Sequence, residues 1–246
     1  MIYLGEALTV MDRLIAEGVV VDAVICDPPY GKTACKWDIV IPPDEMWLRF
    51  SKLVKPNGAV VLFGNEPFTS MLVSSNIGKF KYQWAWVKNN ATGHLNAKRK
   101  PMHLFEDILV FGTKPPYYPQ GLIPFNKKVR RGHNGDNYGV SGKENIQTHT
   151  NYPTDILCFD YEKKKLHPTQ KPVALMEYLI KTYTKEGETV LDFTVGSFTT
   201  IIGCLNTKRK FIGIEKDARY FQIGKERLEK HLLTLDYTPE IVYKQL

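Results

Sequence analysis

An apolar run that ends in a carboxylate and two prolines constrains the fold of this chain more than any other feature. Residues 19–26 are apolar apart from Asp22, and Asp27-Pro28-Pro29-Tyr30 follows directly. A short run of this kind predicts a buried strand, which stops at the prolines because proline has no N–H to donate to a sheet. Ligands of open α/β sheets bind at the carboxyl ends of strands. The pattern therefore predicts that residues 27–30 lie where a substrate binds.

The side chains of residues 27–30 suit an exocyclic amino group. Neither proline donates a hydrogen bond, so the loop offers acceptors, namely the Asp27 carboxylate and backbone carbonyls on a stiff backbone. Two acceptors that bind the protons of an –NH2 group turn its lone pair towards an electrophile. Tyr30 adds a flat face on which a nucleobase can stack. The alternative for these residues alone is a structural proline turn, with Asp27 as a cap and Tyr30 in the core.

Two strand–helix–strand units predict a mostly parallel sheet. In the first, the strand that ends at Asp27 is followed by a polar loop over residues 31–38, a helix from Asp44 and a strand over residues 59–63. The turn Lys55-Pro56-Asn57-Gly58 is expected to separate that helix from that strand. Units of this type are typical of α/β folds.

The second unit carries the pattern of a nucleoside site. A glycine turn, residues 193–197, separates a strand over residues 189–192 from a helix over residues 198–205, and Glu215 follows a strand over residues 210–214. A carboxylate at this position binds ribose hydroxyls in nucleotide-binding βαβ units. The turn lacks the further glycines of the dinucleotide pattern and a Gly-Lys-Ser/Thr. A nucleoside without phosphates therefore fits it better.

Positive charge is concentrated between residues 88 and 131. The chain has a net charge of +7, and this segment has nine basic residues against Glu106 and Asp107. A localised excess of this kind indicates a polyanion such as nucleic acid, and a solvated basic face without a partner is the alternative. The candidate nucleic-acid contacts are Lys88, Lys98, Arg99, Lys100, Lys127, Lys128, Arg130 and Arg131.

Residues 113–165 show no hydrophobic periodicity. Prolines, glycines and asparagines recur, and aromatic residues such as Tyr117, Phe125 and Tyr138 alternate with basic ones. A stretch this long without regular structure is usually a functional insertion in a compact protein. The mixture of charges and rings suits phosphate contacts and base stacking.

The chain shows no sign of a membrane or secreted protein. It has no apolar run of the ~18 residues that a membrane helix needs, and its start is not a signal peptide. Its cysteines, Cys26, Cys35, Cys158 and Cys204, form no Cys-x-x-Cys pair. The sequence therefore predicts a soluble cytoplasmic protein without a disulfide framework or a metal site.

The motifs in this order resemble those of the amino-group DNA methyltransferases that use S-adenosylmethionine, in the permuted beta class whose catalytic motif precedes the cofactor motif. The resemblance covers nearly the whole chain. It rests on Gly5-Glu6-Ala7-Leu8, Asp27-Pro28-Pro29-Tyr30-Gly31, Glu106-Asp107-Ile108-Leu109-Val110-Phe111, His167-Pro168-Thr169-Gln170-Lys171-Pro172, Val190-Leu191-Asp192 with Gly196-Ser197, and Phe211-Ile212-Gly213-Ile214-Glu215.

The resemblance implies an α/β fold with a Rossmann-like methyltransferase sheet, mostly parallel with one antiparallel strand near residues 108–111. It implies one methyltransferase domain in two halves. Residues 1–112 carry the catalytic motif, residues 166–246 carry the cofactor motif, and residues 113–165 form an inserted target-recognition region.

The resemblance also implies the site. Its catalytic residues are Asp27, Pro28, Pro29 and Tyr30, which would hold a base flipped out of the duplex. Its cofactor-binding residues are Glu6 and Ala7 at the adenine, Glu215 at the ribose, Asp192, Gly196 and Ser197 at the methionine, Thr169 and Lys171 on the other flank, and Asp27.

One position departs from the family pattern. Phe198 follows Ser197 where the family commonly has a second glycine, and Thr194 stands near the usual position of an aromatic residue. Phe193 can supply the displaced ring. Phe198 is expected to crowd the methionine pocket and to weaken cofactor binding.

The resemblance implies transfer of a methyl group from S-adenosyl-L-methionine to N6 of adenine in double-stranded DNA, by direct displacement. The alternatives are transfer to N4 of cytosine and a catalytically weak DNA-binding homologue. A homodimer and a cognate restriction endonuclease remain open as partners.

Overall fold

The computed structural model describes residues 1–32, 35, 38–130, 144–162, 166 and 169–246, with the backbone alone at residues 128–130 and 144–145. Contacts within it define two compact units, Met1–Tyr118 with Asp155–Leu246, and Pro119–Thr154. The strands are β1 (Ile2–Leu4), β2 (Val21–Cys26), β3 (Val54–Gly64), β4 (Phe80–Thr92), β5 (His103–Phe111), β6 (Ile123–Arg130), β7 (Glu144–Thr150), β8 (Ile156–Cys158), β9 (Thr189–Asp192), β10 (Lys210–Glu215) and β11 (Tyr243–Gln245). The α-helices are α1 (Ala7–Ala16), α2 (Pro43–Leu53), α3 (Phe68–Ser75), α4 (Val173–Tyr183), α5 (Thr199–Asn206) and α6 (Ala218–Leu232).

The first unit is built on one large sheet. Nine of the described strands form it, in the order β11-β1-β10-β9-β2-β3-β5-β4-β8. Strand β5 runs antiparallel to both neighbours, β3 and β4, and the other described pairs are parallel. The predicted α/β fold with one antiparallel strand is confirmed, and that strand includes residues 108–111.

Helices cover both faces of this sheet. In β2, Ala23 and Ile25 point to a core that includes α4 and α5, whereas Val24 and Cys26 point to a core that includes α1, α2 and α3. Successive side chains of a strand point to opposite faces, so a strand buried on both sides is apolar at nearly every position. The continuous apolar run therefore reflects double burial.

Strand β3 begins earlier than the sequence predicts. Residues 55–58, expected as a turn, continue the strand from Val54, and the β2–β3 register shifts between Val21 and Ala23. A Cβ added to Gly58 would lie 2.6 Å from the carbonyl oxygen of Asp22. The glycine therefore permits the close approach of the two strands that the irregular register requires.

Residues 113–165 contain regular structure that the sequence analysis missed. Strands β6 and β7 form an antiparallel hairpin in the second unit, and β8 joins the edge of the large sheet beside β4. Ile123 and Ile146 are more than half exposed. Because no core covers these side chains, the hairpin lacks the apolar alternation by which a strand is recognised.

Across the part of the chain that is described, the helices are too short or too polar to cross a membrane.

Candidate active site

A cleft opens at the carboxyl ends of β2, β9 and β10, beside the first turn of α1. The space enclosed within it measures about 140 Å³, and about 950 Å³ when the open mouth is included. All of the predicted cofactor-binding residues line it: Glu6, Ala7, Asp27, Thr169, Lys171, Asp192, Gly196, Ser197 and Glu215. The fold therefore brings segments from both ends of the sequence to one edge of the sheet, as Rossmann-like folds do.

The glycine turn after β9 is held by a carboxylate. Gly196 has a left-handed φ of 52°, and its N–H donates to Oε2 of Glu215 at 2.9 Å. The N–H of Asp217 donates to Oε1 at 2.8 Å. Burial raises the pKa of Glu215, although these two amides act in the opposite direction. Each carboxylate oxygen keeps acceptor capacity towards the cleft, which is what a ribose diol requires.

Asp192 is a buried carboxylate in the lining of the cleft. Its carboxylate accepts hydrogen bonds from the Thr200 hydroxyl at 2.5 Å and the Thr194 N–H at 3.1 Å. Burial raises the pKa of Asp192 to about 6, despite these donors. A nearby cationic ligand would lower it again, so this carboxylate suits the positive groups of a methionine-type cofactor.

One hydroxyl connects the ends of β2 and β9. Oγ1 of Thr194 donates to the carbonyl oxygen of Asp27 at 3.0 Å. Sγ of Cys26 lies 2.9 Å from Oγ1 of Thr194. Because the hydroxyl has one proton and uses it on Asp27, the thiol is the donor to Thr194. Burial raises the pKa of the Cys26 thiol, which keeps it from acting as a nucleophile.

The Asp27 carboxylate has a partner on each oxygen. The Tyr30 hydroxyl donates to Oδ1 at 2.5 Å, and the Lys171 ammonium donates to Oδ2 at 2.5 Å. Burial raises the pKa of Asp27, and Lys171 opposes this effect. Asp27 and Pro29 line the cleft, Pro28 is buried, and Tyr30 is half-buried. The acceptor-rich corner predicted from Asp-Pro-Pro-Tyr thus borders the predicted cofactor residues.

The Tyr30 ring packs on Phe68, with the ring centres 5.1 Å apart. Its hydroxyl fixes the orientation of the Asp27 carboxylate. That a base stacks on Tyr30 stays a prediction.

The Phe198 ring lies outside the cleft, contrary to expectation. The residue is fully buried at the N-terminus of α5 with φ 64°, and its ring meets Phe221 of α6 at 5.6 Å. A Cβ on Gly224 would lie 2.5 Å from the ring, so the glycine provides the space that the ring occupies. Phe193 instead lines the cleft, in agreement with the suggestion that it supplies the displaced ring.

A cleft residue and two residues that support it were not singled out from the sequence. Gln170 accepts a hydrogen bond from the Ser197 hydroxyl at 3.3 Å and donates to Glu162 at 2.6 Å. Arg227 of α6 donates to the Ser197 carbonyl and also reaches Glu162. Gln170 lay between two predicted residues and could have been inferred, whereas Glu162 and Arg227 had no signal because only the tertiary fold brings them together.

The candidate nucleic-acid contacts divide into three groups. Lys98, Arg99, Lys100 and Lys127 are exposed. Lys88 is 4% exposed, and its ammonium pairs with Glu106 at 3.2 Å, so its position argues against a phosphate contact. The side chains of Lys128 and Arg130, the whole of Arg131, and His167 and Pro168 of the last motif lie outside the described residues.

A mostly parallel sheet with one reversed strand, and a cleft over β9 and β10 lined by the predicted cofactor residues, is the arrangement of S-adenosylmethionine-dependent methyltransferases. The chain belongs within that class to the N6_N4_Mtase family, described as DNA methylase, whose model matches residues 21–226. The predictions of family, enzyme class and cofactor are thereby confirmed.

Curated relatives cover most of the chain. It is 28% identical to Type II methyltransferase M.HpaI of Haemophilus parainfluenzae, over 89% of this chain and 72% of the relative. It is 30% identical to Type II methyltransferase M2.DpnII of Streptococcus pneumoniae, over 85% and 82%. It is 28% identical to DNA adenine methyltransferase YhdJ of Escherichia coli K12, over 92% and 81%.

Solved structures agree with the fold. The M1.HpyAVI–SAM complex superposes with a TM-score of 0.65 at 30% identity, over 92% of this chain and 98% of that one. The cytosine-N4-specific PvuII DNA methyltransferase superposes with a TM-score of 0.65 at 16% identity, over 97% and 87%. The second similarity concerns the fold alone.

Proposed function

We propose that this protein transfers a methyl group from S-adenosyl-L-methionine to the N6 amino group of adenine in double-stranded DNA. The observation that supports this most is that Asp27 and the Gly196 turn border one cleft. The carboxylate that would accept hydrogen bonds from the target amine therefore lies in the same cleft as the turn that would bind the cofactor. The adenine specificity of YhdJ, a relative over most of the chain, favours adenine as the target.

The residues around the cleft fit this cofactor. We assign the ribose to Glu215, whose two oxygens are oriented by backbone amides. We assign the methionine end to Asp192, Gly196 and Ser197, and the adenine to Glu6 and Ala7 at the start of α1. Thr169 and Lys171 form the opposite flank. When bound, S-adenosylmethionine supplies an electrophilic methyl group on sulfur.

The acceptors of the Asp27 loop prepare the nucleophile. The exocyclic amine donates its protons to the Asp27 carboxylate and to a loop carbonyl, which directs its lone pair away from the ring. In the transfer, the nitrogen–carbon bond forms as the carbon–sulfur bond breaks, and the nitrogen then loses a proton to Asp27 or water. The displacement is direct, without a covalent enzyme intermediate. The described cysteine nearest the site, Cys26, is a buried thiol that is hydrogen-bonded to Thr194 and is not available as a nucleophile.

The β4–β5 hairpin is suited to hold the duplex. Cys26 pairs with Leu62 near the end of β3, and Gly64 pairs with Asp107. Strand β5 starts at His103, so it continues four residues past that point, or roughly 13 Å at ~3.3 Å per residue. The hairpin thus projects from the edge of the sheet that carries Asp27.

Charge favours this hairpin as a DNA contact. Its connection contains the exposed Lys98, Arg99 and Lys100, and no acidic residue occurs between Lys88 and Phe105. Burial lowers the pKa of Lys32, and Lys100 lowers it further. The positive charge therefore extends to the loop that follows Tyr30. We propose that these residues bind phosphates while the target base is flipped into the cleft, and that residues 113–165 contribute sequence recognition.

The same acceptors would suit N4 of cytosine, because both amines donate two protons in the plane of a ring. The other alternative, a catalytically weak DNA-binding homologue, depended on the expectation that Phe198 crowds the methionine pocket. The Phe198 ring packs against α6, so that reason is lost.

Digestion of the reaction product tests the proposal. Purified protein is incubated with duplex DNA and S-adenosylmethionine. The DNA is then digested to nucleosides, which are separated and identified by mass spectrometry. N6-methyladenine is expected with the wild type and is expected to be absent with Asp27→Ala, which loses the acceptor. Lys55→Met, at an exposed pair with Asp22, serves as the control. N4-methylcytosine, or DNA binding without any methylated nucleoside, would contradict the proposal.

A further inference from the structure

Four charged side chains form a continuous row beneath the cleft. The Lys88 ammonium of β4 lies 3.2 Å from Oε1 of Glu106 on β5. Oε2 of Glu106 lies 3.2 Å from the Lys171 ammonium, which reaches Oδ2 of Asp27 at 2.5 Å. The side chains of Lys88, Glu106 and Lys171 are 2%, 13% and 7% exposed. Two positive and two negative charges therefore lie together with little water.

The row is held together by charge. Burial would raise the pKa of Glu106, but Lys171 and Lys88 outweigh it and the pKa is lowered. Burial would lower the pKa of Lys171, but Asp27 and Glu106 outweigh it and the pKa is raised. Removing one member of such a buried set leaves the others uncompensated, which is strongly unfavourable. Glu106 and Lys171 are thus kept ionised by their neighbours.

Glu106 reaches the cleft through its ion pair with Lys171. It is absent from the cleft lining, whereas Lys171 and Asp27 belong to it. Oε2 of Glu106 is buried with no hydrogen bond of good geometry, so it holds Lys171 by ion pairing. The Lys171 ammonium also lies 4.9 Å from the Phe63 ring centre and 6.0 Å from that of Trp86. Its position is therefore fixed on the side away from Asp27.

We propose that Glu106, anchored by Lys88, is a positioning residue that holds the Lys171 ammonium against Asp27 and shares its charge. Lys171 keeps Asp27 an ionised acceptor. Glu106 prevents Lys171 from neutralising that acceptor completely. This inference rests on the proposed function only in taking Asp27 as the acceptor of the target amine. Lys88 and Lys171 were considered above as contacts to DNA and cofactor. In this proposal both help to keep the Asp27 carboxylate ionised.

The proposal predicts opposite effects from two substitutions. The charged or titratable groups around Asp27 are Lys171, Glu106, Tyr30, Tyr161, Asp192 and Cys26. Among them Lys171 lowers the pKa of Asp27 and Glu106 raises it. Lys171→Met should therefore raise the pKa of Asp27, by roughly 1–3 pH units. Glu106→Gln should lower it.

Lys88→Met should move the pKa of Asp27 upward, in the direction of Lys171→Met. Without Lys88, the negative charge of Glu106 is offset by Lys171 alone. Less of the positive charge of Lys171 is then available to stabilise the ionised form of Asp27. Lys55→Met again serves as a control that removes an ion pair far from Asp27.

The titration is read by carboxyl-carbon NMR of the intact chain labelled at aspartate, with Asp27→Asn to assign the signal. Opposite shifts in Glu106→Gln and Lys171→Met, with none in Lys55→Met, support the proposal. Shifts of the same sign, or no shift, overturn it. If Lys171→Met does not fold, the double variant Lys171→Met with Glu106→Gln removes both charges and should still raise the pKa, because the Lys171 contribution is the larger.

Kinetics separate this proposal from the proposed function. Glu106→Gln should lower kcat and move the acid limb of its pH profile downward, while KM for cofactor and DNA stays unchanged because Glu106 is outside the cleft lining. If the NMR shifts appear but the wild type transfers no methyl group, the positioning role stands and the proposed function fails. If transfer occurs but the pKa shifts are absent, the positioning role fails and the function stands.

Discussion

The left-handed Phe198 offers a test of how the chain tolerates a large side chain beside the cofactor turn. Replacing a buried Phe by Ala costs about 3–5 kcal/mol in free energy of unfolding. At φ 64° any residue with a Cβ is strained by ~1–2 kcal/mol, and glycine is not. Phe198→Ala should therefore lose about 3–5 kcal/mol, and Phe198→Gly roughly 1 kcal/mol less. Glycine would then be the more stable of the two replacements, the reverse of the order in a helix interior.

The partner of this ring makes the test sharper. A methyl group on Gly224 would lie 2.5–2.8 Å from three ring carbons of Phe198, so Gly224→Ala alone should destabilise the chain. Combined with Phe198→Gly, the same change should be far less harmful, because the ring that it meets is gone. Urea unfolding of the two single variants and the double variant gives this coupling free energy directly.

Two results would refute this reasoning. One is an equal or greater stability of Phe198→Ala relative to Phe198→Gly. The other is a KM for S-adenosylmethionine that falls tenfold or more in Phe198→Gly, since this would mean that the ring obstructs the cleft. A stability loss with little change in KM is expected.

Three further predictions concern the site. Replacing Lys98, Arg99 and Lys100 by Gln should flatten the slope of log K for DNA against log salt by up to about 2.7, at ~0.9 per lost phosphate contact; filter binding at several salt concentrations measures it. Glu215→Gln should raise KM for S-adenosylmethionine roughly 10–100-fold, the value of ~1.5–3 kcal/mol for hydrogen bonds to a charged group, while the affinity for DNA stays unchanged. The pKa of Asp192 is raised from 3.8 to about 6 by burial, so the folded state binds its proton more tightly than the unfolded state, and stability from this group falls as pH rises from 4 to 6. Urea unfolding against pH should show this fall, of about 3 kcal/mol at most at ~1.4 kcal/mol per pH unit, in the wild type and not in Asp192→Asn.

Each of these predictions has a matched control. For DNA binding, Lys55, Lys208 and Lys210 replaced by Gln remove the same charge from exposed positions at the opposite edge of the sheet; an equal change in salt slope there would exclude the hairpin as the phosphate contact. For Glu215, a rise in the dissociation constant for DNA would indicate a general loss of structure. For Asp192, the same pH dependence in the Asn variant would assign the fall to another group.

The site was predictable because its residues follow strands directly. Asp27 directly follows β2, and Asp192 and Glu215 are the last residues of β9 and β10. The carboxyl ends of parallel strands meet at one edge of a sheet, so recognition of three apolar runs is enough to bring three carboxylates together. This part of the prediction needed only local pattern and one rule of topology.

What the sequence did not reveal depends on packing between distant elements. Lys88 was predicted to contact DNA, but its ammonium is paired with Glu106 in the neighbouring strand, a pairing that only the sheet register creates. The orientation of Phe198 depends on Gly224 of α6, which local patterns do not connect to it. The β6–β7 hairpin was missed because none of its described side chains is buried, so its strands carry no apolar alternation.

The hydrogen bond from Thr194 to the carbonyl oxygen of Asp27 joins residues 167 positions apart in the chain. It does so because β2 and β9 are neighbours in the sheet, and adjacency in space is indifferent to the order in which a gene encodes the two halves. A rearranged gene that encoded the cofactor half first would rebuild the same junction, provided that both strands kept their places. Evolution can therefore reshuffle the motifs of such an enzyme without redesigning the chemistry between them.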